Sequence, residues 1–189
     1  MNRHRSLIRT TTALPKSDDV YFEVEIANLG SGSISVGLTT NRLESRNLRR
    51  VGEDPGTIGL SSTYIRPGGQ PGPSVIGFHQ MDPGDWYEQE NLTPIDTGDI
   101  IGCRSISITH SNHTFICCLF TINGELAGKP EILQDVEVFP TVGINSPGAV
   151  VKGYFREEEF RYNRGGDILR NHERFKKIRK DLKDSRLQF

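Results

Sequence analysis

Hydrophobic residues recur along this chain with a period of two, in short runs broken by turn residues. Tyr21–Ile26 is the clearest case. Phe22, Val24 and Ile26 fall on one face, and Tyr21, Glu23 and Glu25 on the other. Ile34, Val36 and Leu38 repeat the pattern, with Ser35 and Gly37 opposed. Ile100, Ile101, Ile106 and Ile108 lie in a run that follows Gly98-Asp99, and Ser111-Asn112-His113 interrupts it. Phe115–Ile122 is a second run, dense in β-branched and aromatic residues, and Asn123-Gly124 stops it. Both central residues of a type I′ turn need positive φ, so Asn-Gly predicts a tight hairpin, with Glu125-Leu126-Ala127 starting the return strand. Val138–Ile144 and Val150–Phe155 read as two more strands joined by Asn145-Ser146-Pro147-Gly148. Leu7–Thr12 predicts an edge strand, and Ser74–His79 a further strand. Short strands broken about every eight to twelve residues predict an all-β fold, an antiparallel sandwich or barrel.

Two stretches break the pattern. Thr40–Pro73 shows no sustained hydrophobic period and reads as one long loop, and connections of that length are usually binding loops or insertions. After Phe155 the text changes to Glu157-Glu158-Glu159, then Phe160 and Tyr162, and Gly165-Gly166 breaks the chain. Asp167 can N-cap a helix over Ile168–Lys183. Ile168, Leu169, His172, Phe175, Ile178 and Leu182 then share one stripe, and the opposite face is basic. The expected division is a β-sandwich over residues 1–160 and a basic amphipathic helical tail over 161–189.

Three segments carry a family resemblance. Gly98–Cys103 (GDIIGC), Leu119–Gly128 (LFTINGELAG) and Phe139–Phe155 (FPTVGINSPGAVVKGYF) resemble the C-terminal half of a SPRY domain, the core of the B30.2 fold. Tyr21–Thr40 resembles that family's early strand pair, and Ser74–His79 (SVIGFH) fits a later strand. The likeness runs from about Leu7 to Phe155. It implies a two-sheet sandwich of jelly-roll, concanavalin-like type and a role in protein interaction, in which loops at one rim form a shallow site. The chain departs from the family in two places. The 40–73 connection is long and lacks the usual Pro-Gly-Trp element, and Gln80–Tyr87 replaces an Ala/Gly-Asp-Asp-Gly turn.

Charge sharpens the division. The 189 residues hold 23 Lys and Arg against 24 Asp and Glu, a net charge of −1. Residues 161–189 alone hold ten basic and four acidic residues, so the tail is strongly basic and the rest mildly acidic. The tail has three readings: a helix docked on the domain or a partner, an anchor for nucleic acid or anionic membrane, or a solvated helix. Aromatics are few there, which disfavours nucleic acid, and docking is the expectation. No run of about 18 apolar residues spans a membrane, and Met1–Thr12 lacks the apolar core of a secretory leader. We therefore expect a cytoplasmic or nuclear protein whose three cysteines stay reduced and mostly buried. In that setting the Asn91 and Asn112 sequons are coincidental. Cys117 and Cys118, as strand neighbours, should point to opposite faces.

The motifs of catalysis are missing: no G-x-S-x-G elbow, P-loop, H-E-x-x-H or C-x-x-C is present. His79, His110, His113 and the cysteines lack metal-ligand spacing. Cys103 reads as a buried small hydrophobe. Asp82, Asp85, Glu88 and Glu90 form a solvated acidic loop or a contact for a basic peptide. Gly68–Pro73 lacks the strand-to-helix setting of a phosphate cradle. We expect no enzyme activity, no cofactor and no metal.

What remains is recognition by loops held on rigid strands, where aromatic and arginine anchors carry most of the energy. The candidates for contact with a protein or short peptide are Arg49, Arg50, Tyr64, Arg66, His79, Trp86 and Tyr87, placed on the loops, with His79 at the end of the Ser74–His79 strand. Asn123 and Gly124 read as structural. Two other readings stay open: a lectin-like carbohydrate binder, which needs a Trp platform beside Asn, Arg and His on a strand face, and an RNA or anionic-lipid anchor acting through the tail. Partner identity and oligomeric state are not encoded legibly.

Overall fold

The computed structural model describes residues 6–15, 19–40, 51–52, 56–64, 72–77, 94–110, 113–134, 137–162, 176 and 180. Its strands are β1 (Ser6–Arg9), β2 (Asp19–Asn28), β3 (Ser33–Thr40), β4 (Thr57–Tyr64), β5 (Gly72–Gly77), β6 (Ile100–His110), β7 (His113–Ile122), β8 (Glu125–Gln134), β9 (Val138–Asn145) and β10 (Val150–Tyr154). They form two antiparallel five-stranded sheets. Sheet I has the order β1-β9-β3-β4-β5, and sheet II the order β10-β2-β6-β7-β8. The chain changes sheet at β1–β2, β2–β3, β5–β6, β8–β9 and β9–β10, and the edge strands β5 and β8 meet along one flank.

The alternation seen in the sequence makes the core. Phe22, Val24 and Ile26 of sheet II face Ile34, Val36 and Leu38 of sheet I, and Ile101, Cys103, Cys118 and Phe120 complete the layer. Each large apolar side chain so buried contributes about 1.5–3 kcal/mol. Cys118 joins this core while Cys117 lies in a separate cluster with Leu119, as neighbouring strand residues must. None of the three cysteines forms a disulfide. Burial pushes the Cys103 thiol far above its ordinary range, as for an inert core residue. The Asn123-Gly124 hairpin has the predicted left-handed pair, φ 51° and 80°.

One expectation fails. The 40–73 connection is not a single loop, because Thr57–Tyr64 forms β4 and Gly72 begins β5. Ile58 and Leu60 alternate into the core there, but Gly59 and Ser61 between them give the sequence pattern little contrast. Elsewhere the boundaries move by a few residues: β1 ends at Arg9, and β2 already starts at Asp19. The sole helical element delimited among the described residues is a 3-10 turn, Glu157–Glu159. The helix expected over Ile168–Lys183 lies outside the described residues, apart from the single helical positions Lys176 and Lys180.

Candidate functional site

Four connections meet at one end of the sandwich: Asn28–Ser33, 94–99, Asn123–Gly124 and Asn145–Ala149. Short strands and exact register bring them together, and side chains then tie them to one another. Asn123 accepts from the Ile100 N–H through Oδ1 at 2.9 Å and donates through Nδ2 to Asp99 Oδ1 at 2.7 Å. Asp99 Oδ2 accepts from the Asp96 N–H at 2.7 Å. Thr97 Oγ1 accepts from the Leu29 N–H at 3.0 Å, which links the 94–99 segment to the β2–β3 turn. Ser146 closes the set: its Oγ accepts from the Gly32 N–H at 2.7 Å and donates to the Leu29 carbonyl at 2.6 Å. Gly30, at φ 68°, packs against this hydroxyl and the Pro147 carbonyl, where a Cβ would clash at 2.5 Å. The result is a rim whose exposed residues, Asp96, Thr97, Pro147 and Gly148 among them, stand on a hydrogen-bonded frame. A surface fixed before binding loses little entropy on binding.

Parts of the outer faces of both sheets are also covered among the described residues. On sheet I, Val51 is buried against Gly59 and Gly143, and Ser35 Oγ accepts its N–H at 3.1 Å. Gly52 N–H donates to Thr57 Oγ1 at 2.8 Å. Beneath lie Gly37 and Thr39, the latter with its hydroxyl 2.7 Å from that of Thr141. A sugar-binding face would need an aromatic platform here. This face instead presents small Ser, Gly and Thr side chains under Val51–Gly52.

On sheet II, Glu23 is fully buried although it belongs to the outward-facing set of β2. Its Oε2 accepts from the Arg161 N–H at 2.8 Å, and its Oε1 from the Tyr162 N–H at 2.8 Å. Tyr21 Oη lies 2.9 Å from both Glu23 Oε1 and the Tyr162 carbonyl oxygen, and its one proton serves one acceptor at a time. Burial first, and the Glu23 charge second, push the Tyr21 phenol well above its ordinary range. Phe160 meets the Tyr21 ring edge-on at 5.0 Å, and Arg104 pairs with Asp19 at 2.6 Å beside it. Gly102 leaves the space that Tyr21 Oη and Thr121 Oγ1 fill. The alternation in the sequence puts Glu23 on the face opposite Phe22, Val24 and Ile26 but does not show what covers that face. The available signal was the aromatic pair Phe160 and Tyr162 just past the last strand.

Of the seven expected contact residues, only Tyr64 lies within the described set. It ends β4 rather than lying in a loop, because Tyr64 pairs with Gly72 beyond the Ser61–Ser74 pair. That places it at the rim end. Arg49, Arg50, Arg66, His79, Trp86 and Tyr87 lie outside the described residues, as do the acidic residues Asp82, Asp85, Glu88 and Glu90. The flanking strands still divide the set. The 65–71 stretch leaves from the rim end with Tyr64. Thr40 and Gly77, which precede the 41–50 and 78–93 stretches, stand toward the opposite end, paired with Val138 and Ile58. His110 and His113 form the cross-strand pair that closes β6 and β7. Among the described residues, no three His, Cys, Asp or Glu side chains gather in a way that could hold a metal.

No family model matches the chain. It is 30% identical over 165 residues to the Ran-binding proteins 9/10 homolog of Drosophila melanogaster, covering 86% of this chain and 15% of that protein. It is 30% identical over 155 residues to Ran-binding protein 9 of Xenopus laevis, covering 81% of this chain and 24% of that protein. Against human Ran-binding protein 9 the identity is 29% over 155 residues, with 81% and 18% covered. The chain thus spans about a quarter or less of the length of these relatives. Among solved structures, the SPRY domain of human HERC1 aligns over 81% of this chain and 84% of that one, at 19% identity and a TM-score of 0.49. The segments that resemble a SPRY domain form β2–β3, the β6 start, the β7–β8 hairpin and β9–β10 of an antiparallel two-sheet sandwich, so the fold is the SPRY-like (B30.2-like) one that the resemblance implies.

Proposed function

We propose that this chain is a non-catalytic protein-interaction module, an adaptor or scaffold that meets a peptide or protein surface through the loops at the Asp99–Ser146 end. The observation that carries this reading is the cross-linked rim. Asn123, Asp99, Thr97 and Ser146 spend their hydrogen bonds on holding connections still rather than on each other as acid and base. Tyr64, which ends β4 there, and Arg66, two residues on, are the anchors we favour. His79, Trp86, Tyr87, Arg49 and Arg50 form a second group carried by the other connections. The relatives are named for binding Ran, so Ran is the first partner to try. The reduced, buried cysteines fit an intracellular setting.

The test is a pull-down and affinity measurement with the wild-type chain, Tyr64→Ala, Arg66→Ala and Trp86→Ala, each checked for native circular dichroism. Loss of a hot-spot anchor costs about 2 kcal/mol, so binding should weaken roughly 30-fold for Tyr64→Ala or Arg66→Ala. If Trp86→Ala alone abolishes binding, the surface belongs to the other group. If all three keep every specific partner, the loop reading fails.

A further inference from the structure

We propose that residues 163–189 dock across the outer face of sheet II, with the apolar stripe of the tail on the Cys117–Leu119 cluster and its basic face outward. The inference stands independently of the rim. Cys117 and Leu119 are fully buried on the side of β7 that faces away from the core, with Ile106, Ile108 and Leu126 beside them in the same sheet. Neighbours within a sheet cannot by themselves bring an outward side chain to zero exposure, so a further layer lies over it. The described part of that layer, Phe160–Tyr162, covers the adjoining ground over Tyr21, Glu23 and Gly124.

The occupant follows from where the chain is held. Glu23 accepts the Arg161 and Tyr162 N–H groups, and the Tyr162 ring lies where a Gly124 Cβ would stand, so residue 163 starts from this face. A helix over Ile168–Lys183 is about 24 Å long. That covers most of a ten-residue strand such as β7, about 33 Å. Ile168, Leu169, Phe175, Ile178 and Leu182 supply an apolar stripe matched to a patch of cysteine, leucine and isoleucine. The tail is basic and the sandwich acidic, so long-range charge favours the same closure.

Cys117 reports the contact, with Cys103 and Cys118 in the main core as internal controls. In the full chain, iodoacetamide alkylation under native conditions, read by mass spectrometry, should be slow at all three. Leu169→Asp with Phe175→Asp should raise labelling of Cys117 at least tenfold and leave Cys103 and Cys118 protected, while Lys180→Glu should change nothing. Continued protection of Cys117 in the double variant would overturn the proposal. A second measurement covers the case in which the double variant unfolds and all three thiols react. Phe175→Cys in the otherwise native chain places a second thiol inside the contact and should form an intramolecular disulfide crosslink to Cys117 on mild oxidation, read on a non-reducing gel and by mass spectrometry. A crosslink only between molecules would assign the face to a second copy, and no crosslink would refute the contact.

Discussion

The two sheets hide their outer faces by opposite means. Sheet I does it with absence: Gly37, Gly59 and Gly143 lack side chains, so backbone and Val51 approach closely, and Ser35, Thr39 and Thr141 satisfy what is left. Sheet II does it with presence: a buried carboxylate, a phenol and an aromatic edge reach out and hold Phe160–Tyr162. The first solution tolerates no added atom, and the second no deleted one. Polar outward positions in a sandwich strand are thus not by default solvent positions, and the kind of residue tells which sort of cover to expect.

The sharpest break falls on sheet I. A Cβ at Gly37 would stand 2.0 Å from the Ile58 carbonyl oxygen and 2.6 Å from Gly59 Cα, and neither is the end of a flexible side chain. Gly37→Ala should therefore cost about 3 kcal/mol or more, at the upper end of overpacking effects. Urea unfolding reads it directly, and near-native stability would show that the close approach is not real. On sheet II the comparable change is a deletion. Glu23→Ala strips the acceptor from two part-buried N–H groups and should cost about 2 kcal/mol, while Tyr21→Phe costs about 1 kcal/mol. The double variant should cost less than the sum, because both residues hold Tyr162. Additive losses would mean the two act separately.

The same contrast explains what could be read beforehand. Phe22, Val24 and Ile26, or Ile34, Val36 and Leu38, announce a strand because the hydrophobic effect needs one face and leaves the other free. β4 was illegible because sheet I demands small residues outward, and Thr57, Gly59 and Ser61 look like loop composition. The Glu23 latch was illegible for a different reason: its partners are backbone groups 138 and 139 residues away, and a backbone N–H has no letter. The rim was half legible. Asn123-Gly124 declares its turn locally, whereas the bonds of Ser146 to Gly32 and Leu29 exist only once two sheets are stacked.

Asn123 joins the two kinds of effect in one residue, since it needs a left-handed backbone and uses its amide. Asn123→Gly keeps the backbone and loses the bonds to the Ile100 N–H and Asp99, and should cost about 1 kcal/mol. Asn123→Ala loses both and should cost about 2 kcal/mol. Equal losses in the two variants, measured by thermal unfolding, would assign the whole effect to the side chain.

The smallest effect lies at the margin of the sheet II cover, where Glu25 is partly exposed. The Tyr154 hydroxyl donates to its carboxylate, and Arg161 and Lys152 add positive charge, so the Glu25 carboxyl is held below its ordinary value of 4.5. A depressed folded-state value means that the unfolded chain binds the proton first. The stabilisation from this group is therefore complete above about pH 4.5 and is lost as the pH falls through the lower folded value. Tyr154→Phe removes the largest cause and should flatten that acid limb while shifting stability little in shape above pH 6. Arg161→Gln, which removes a weaker partner at 3.4 Å and leaves the Arg161 N–H on Glu23, should flatten it less. Unfolding free energies from pH 3 to 7 for the three proteins rank the causes. An acid limb as steep in Tyr154→Phe as in the wild type would show that Glu25 draws nothing from the hydroxyl, and that the margin of the latch is held by charge alone.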